Sequence, residues 1–160
     1  MEALENLVKA KQIHREPFDQ TEFNGMLKAA KNKLNDAKLQ GLSEDSQFML
    51  AYGAAHALSL AALRFHGYRT DSRYLVFQCL QHTVGFSSSQ WRVLDQCHRK
   101  RNLAEYEGHL EIEQTLLTEL MELTGMLYNK ITQLMESVEH TPDPSHFDKL
   151  STEQEGRKND

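Results

Sequence analysis

Apolar residues along this chain recur mostly at helical spacing, and the breaks between the helical stretches carry stop and start signals. From Met1 to about Arg15, Leu4, Leu7, Val8 and Ile13 line one side of a short amphipathic helix that Pro17 ends. Phe18-Asp19-Gln20-Thr21-Glu22-Phe23 then reads as a helix start: Asp19 caps, Glu22 reaches back to the cap, and Phe18 staples to Phe23. This helix runs to about Leu39, with Gly41 as its stop. Ser43 caps the next, Glu44 to about His66, which Gly67 closes. Its centre, from Ala51 to Leu63, is small or apolar on nearly every face, the pattern of a central helix buried all round. Asp71 or Ser72 opens a shorter helix through Leu75, Val76, Phe77 and Leu80 to about Val84, where Gly85 breaks it. Phe86-Ser87-Ser88-Ser89-Gln90-Trp91 repeats the cap-and-staple pattern, with Ser87 as cap, Gln90 reaching back and Phe86 against Trp91. That helix stops by Gly108. The last begins near Glu111, with Leu116, Leu117, Leu120, Leu123, Leu127, Ile131 and Leu134 as its stripe and Gly125 as a close-packing point or kink.

No alternating strand pattern of useful length and no repeat interrupts this series. The pattern predicts an all-α, up-and-down bundle of five to six helices over residues 1–138. A polar, flexible tail is expected over 139–160, where Phe147 and Leu150 are the large apolar side chains. A length of 160 residues suffices for one domain with a core that needs no disulfide or metal. Only 8 Gly and 3 Pro, placed between the helical stretches more than within them, agree with an all-α chain.

Charge and cysteine content narrow the function classes. A net charge of −5 argues against a general nucleic-acid binder. The sign is uneven, however: Arg64 to Arg101 holds seven Lys/Arg against two acids, and Glu105 to Glu139 holds eight Glu against Lys130. A basic middle beside an acidic last helix predicts a local anion-attracting surface; the alternative is that these charges decorate solvated faces. Cys79 and Cys97 form no CxxC pair, and Met1 to Glu16 has no apolar signal region, so a cytoplasmic protein with reduced thiols is expected. The uncharged stretch Ser46 to Leu63 includes Gln47, Tyr52, His56 and Ser59, which favours a core helix over a membrane span.

On a wheel of about 100° per residue, Trp91, Leu94, Cys97, Arg101 and Ala104 fall along one side of the helix from Ser88 to Glu107, with His98, Asn102 and Glu105 beside them. Arg101 therefore projects from an apolar stripe and needs a partner, which Glu105 at i+4 supplies. Tyr106 stands at i+4 from Asn102. The Arg101–Glu105 pair reads either as a structural or interface ion pair or as part of a binding or catalytic site. His98 lies on nearly the same face as Arg101 and is a candidate base, against the plainer reading of a satisfied histidine. His56 reads as a packed, hydrogen-bonded core histidine, and Trp91 and Phe86 as staple and core. The eight His show no spacing with Cys or acids that would converge on a metal, and no cofactor is expected.

The helix Tyr52 to Arg69 together with His98-Arg99-Lys100-Arg101-Asn102-Leu103-Ala104-Glu105-Tyr106-Glu107-Gly108 resembles the HEPN domains over roughly Gln47 to Leu134. The resemblance implies a compact helical bundle that forms a homodimer, partnered by RNA or a nucleotide and, in toxin–antitoxin or defence settings, by a nucleotidyltransferase-type antitoxin. In active members an Arg, often followed by Asn, precedes a His by four to six residues, and the domain is a metal-independent endoribonuclease. Arg101 and Asn102 match the start of that motif, whereas Tyr106 stands where the active pattern has His. A tyrosine hydroxyl, which ionises only near ~10, is a poor general base at neutral pH. His98 or Glu105 would then have to replace it. The resemblance thus leaves a degenerate ribonuclease site of Arg101, Asn102, Glu105, Tyr106 and His98, or a binding and assembly module. A purely structural interaction bundle without a nucleic-acid ligand is the alternative from another class.

Overall fold

The first helix, α1 (Glu2–Lys9), is shorter than its apolar spacing predicts, because Lys11 turns the chain through the left-handed region at φ 62°. Beyond that turn Ile13 is still buried, and His14–Arg15 (β1) pairs antiparallel with Tyr68–Arg69 (β2), His14 opposite Arg69. Two-residue strands are too short to leave an alternating signal, so this ribbon was invisible in the hydrophobic pattern. The structure, a computed structural model, describes residues 1–139. Of the tail expected over 139–160, residue 139 ends the last helix and the remainder lies outside the described residues.

Helix α2 (Gln20–Ala37) starts as its residues predict: Asp19 accepts from the Glu22 N–H at 3.1 Å, and the Phe18 and Phe23 rings sit 5.6 Å apart. The Glu22 side chain does not reach back, however. Its carboxylate accepts from Arg64 Nε at 2.9 Å and from Arg69 Nη2 at 2.6 Å. The Arg64 side chain is 2% exposed and also donates to the carbonyls of Glu16 and Pro17, at 2.9 and 2.7 Å. A guanidinium that deep requires a carboxylate, and that demand outweighs closing a surface cap.

Helix α3 (Glu44–Phe65) is the centre of the bundle, capped by Ser43 and followed by Gly67 at φ +88°. It is long and apolar enough to cross a membrane by composition, yet 67% of its apolar window is buried inside the protein, as expected of a core helix. Helices α2 and α7 (Gln114–Glu139) pack along it. The stretch read as one helix from residue 72 to 84 is two, α4 (Arg73–Gln78) and α5 (Leu80–Thr83), divided at Cys79. Helix α6 (Ser88–Glu107) carries both halves of its capping box, Ser87 to Gln90 and back, and ends at Gly108 with φ +79°. Helix α7 starts three residues later than Glu111, and in the segment before it Lys100 Nζ donates to the Glu111 carbonyl and the Glu113 carboxylate, each at 3.2 Å. A Cβ on Gly125 would meet nothing within 4 Å, so that glycine is not a close-packing point, and α7 runs unbroken through it. The buried residues of α1 to α7 form one continuous core, and the protein is an all-α bundle.

Candidate functional site

Helix periodicity puts Asp45, Met49, Tyr52 and His56 on one face of α3, at steps of four, three and four residues. The same rule puts His98, Arg101, Asn102 and Glu105 on one face of α6. Tertiary packing brings the two faces together. Tyr52 Oη lies 3.2 Å from His98 Nδ1, while Asp45 and Met49 share a cleft with Arg101, Ala104, Glu105 and Gly108. The two helices therefore run antiparallel here, with His98 at one end of the shared surface and Glu105 at the other.

The His98 end collects positive charge around an aromatic ring. Arg73, the first residue of α4, donates from Nη1 to Tyr52 Oη at 3.0 Å, and its guanidinium lies 5.6 Å from the Tyr52 ring centre. The Arg101 guanidinium lies 5.8 Å from the same centre. Among the described residues no carboxylate pairs with the half-buried Arg73. Arg101 pairs with Glu105 at 3.2 Å, and the Glu105 side chain is 63% exposed. Asn102 links the set: its Oδ1 accepts from Arg101 Nη1 at 3.5 Å, and its Nδ2 sits 3.3 Å from His98 Nε2. With Nε2 accepting from that amide, His98 carries its proton on Nδ1 and donates to Tyr52 Oη.

Both histidines of the surface have their charged forms disfavoured. Burial, then the charges of Arg73, Arg101 and His98, lower the His56 pKa to about 4. Burial lowers the His98 pKa as well; Asp95 opposes this, and Arg73, Arg101 and Arg99 add to it. Burial raises the Tyr52 hydroxyl, against the Arg73 hydrogen bond. The result is a half-buried patch with two guanidinium groups, two imidazoles and an amide. Such a set donates hydrogen bonds and attracts an anion.

Of the five residues singled out from the sequence, four come together: His98, Arg101, Asn102 and Glu105. Tyr106 does not. It is 92% exposed, and among the described residues nothing hydrogen-bonds its hydroxyl, Glu105 included. One position beyond the Arg101–Glu105 row turns a side chain about 100° around the helix, which carries Tyr106 out to solvent. His109, past the Gly108 stop, lines the cleft instead. His56 is packed edge-on against Phe77 at 6.2 Å, as a core histidine should be, but among the described residues it makes no hydrogen bond. Sequence reading missed Tyr52 and Arg73. The i, i+4 spacing of Tyr52 and His56 on an otherwise small-residue helix was the available signal; for Arg73 there was none, since its helix is placed by tertiary contacts. Trp91 and Phe86 are both buried at 2% exposure and belong to the core. Burial raises the thiols of Cys79 and Cys97 to about 11 and about 12, which leaves them poor nucleophiles. No group of three or more His, Cys, Asp or Glu among the described residues could hold a metal ion.

No family model matches this chain, and no curated protein or solved structure does either.

Proposed function

We propose that the Tyr52–Arg73–His98–Arg101–Asn102 patch binds a phosphate group of RNA or of a nucleotide, and that the protein is a HEPN-like binding and assembly module. The observation that carries this reading is Arg73. A half-buried guanidinium with no carboxylate among the described residues, set beside a second one on the same aromatic ring, leaves a charge that an anion would balance. Arg101 adds a fork whose partner, Glu105, is exposed and weakly held. Binding ranks above cleavage because Tyr106 points to solvent in place of the motif histidine. The module works in the cytoplasm, as a homodimer and within a toxin–antitoxin or defence setting that pairs it with a nucleotidyltransferase-type partner.

Filter binding of single-stranded RNA across ionic strength tests this. The affinity should fall with salt, and Arg73→Ala and Arg101→Ala should each weaken it and lower the slope by about one charge contact. Salt-independent or absent binding would favour the purely structural bundle. Cleavage of the RNA that Arg101→Ala abolishes would instead make the site a metal-independent ribonuclease. Sedimentation of the intact chain reads the dimer.

A further inference from the structure

The guanidinium patch continues into a cleft of about 430 Å³ at the Glu105 end of the same surface. The cleft is shallow and widely open to solvent. Met49, Ala104 and Leu110 give the cleft apolar walls, while Asp45, Glu105 and His109 place polar groups at its rim. Arg101 belongs to both parts: it lines the cleft and lies against Tyr52. The continuity follows from the antiparallel packing of α3 on α6, in which residues 49 and 45 stand one and two turns before Tyr52.

We propose that this cleft is the nucleobase subsite of the phosphate site. A nucleotide whose phosphate sits on Arg101 and Arg73 lays its base between Met49 and Leu110 and turns an amino-bearing edge to the Asp45 and Glu105 carboxylates. The inference rests on the phosphate reading above. Charge complementarity selects this occupant over a longer anionic track: one end of the surface carries guanidinium groups, the other carboxylates, and a nucleotide has a phosphate at one end and N–H donors at the other. Carboxylates accept hydrogen bonds from exocyclic amino groups. Methionine is polarizable and packs well against a flat ring. A phosphate on Arg101 also displaces Glu105, whose exposed pair is weak, and frees its carboxylate for the base.

Calorimetric titration of the full chain with inorganic phosphate, ribose 5-phosphate, cytidine 5′-monophosphate and uridine 5′-monophosphate tests the subsite. The cytidine nucleotide should bind at least about tenfold more tightly than ribose 5-phosphate. The uridine nucleotide should fall between them, because its O4 carbonyl faces the carboxylates where cytosine has an amino group. Met49, 44% exposed, can be changed without opening the core. Met49→Ser, which removes the apolar wall without adding a charge, should bring the cytidine nucleotide down toward the level of ribose 5-phosphate and leave ribose 5-phosphate itself unchanged. Arg101→Ala should weaken all four. Equal binding of ribose 5-phosphate and the cytidine nucleotide overturns the base subsite while the phosphate site stands. Equal binding of the two nucleotides overturns the role of Asp45 and Glu105. A Met49→Ser loss that extends equally to ribose 5-phosphate also overturns the subsite. No binding of any probe overturns both readings together.

Discussion

Arg64 and Arg73 are two arginines nine residues apart with opposite surroundings. Arg64 is enclosed and satisfied by Glu22 and two main-chain carbonyls; Arg73 has a tyrosine hydroxyl and a ring but no carboxylate among the described residues. The first pattern is structural. Glu22→Ala should destabilise the fold by on the order of 2 kcal/mol, since it removes the nearer carboxylate of a buried guanidinium and leaves it Glu16 at 3.8 Å; chemical denaturation would read the loss. The second pattern is the one on which the proposed phosphate site rests. His56 gives a pH signature to the same region. Its folded pKa of about 4 lies below the ordinary 6.5, so the unfolded chain takes up the proton first as pH falls. Stability should therefore drop between about pH 6.5 and 4, by on the order of 2–3 kcal/mol from this group. His56→Leu should flatten that part of the profile; an unchanged difference between wild type and variant across the window would show that burial of His56 is not its source.

Among the helices, α6 and α7 show what local signals do and do not control. The capping box at Ser87 and Gln90 satisfies the first N–H groups of α6 and so fixes where the helix starts, which sets the phase at which His98, Arg101 and Glu105 face α3. Ser87→Ala should lower stability by about 1 kcal/mol, measured by thermal unfolding. Gly125 in α7 has room for a side chain and ordinary helical surroundings. Gly125→Ala should raise stability by about 0.5–1 kcal/mol, through the smaller entropy lost by the backbone on folding. A decrease would mean that a neighbour occupies the space. The division of residues 72–84 into α4 and α5 has no comparable local signal. No Gly or Pro falls between Gln78 and Leu80, and the break at Cys79 comes with a buried thiol and the burial of Phe77 and Leu80 on either side of it.

For the molecule as a whole, the arrangement of α3, α4 and α6 decides the chemistry. The proposed phosphate and base sites draw their side chains from three helices. Most of the bundle was legible in the order of residues. Caps at Asp19, Ser43, Ser72 and Ser87, glycine stops at Gly41, Gly67, Gly85 and Gly108, and the small-residue centre of α3 act over a few residues through the backbone's own hydrogen-bonding needs, so a linear pattern records them. The partner of Arg101 was legible for the same reason, because i and i+4 are neighbours on any helix. The rest was not. Glu22 turned from its own cap to Arg64, residues 14–15 found a strand partner more than fifty residues away, Tyr106 went to solvent, and Arg73 came to rest on Tyr52. Each outcome was set by which distant groups burial brought within a few ångströms and by the cost of leaving a charge or a backbone group unpaired there. Helical spacing carries no record of that; only the packed structure does.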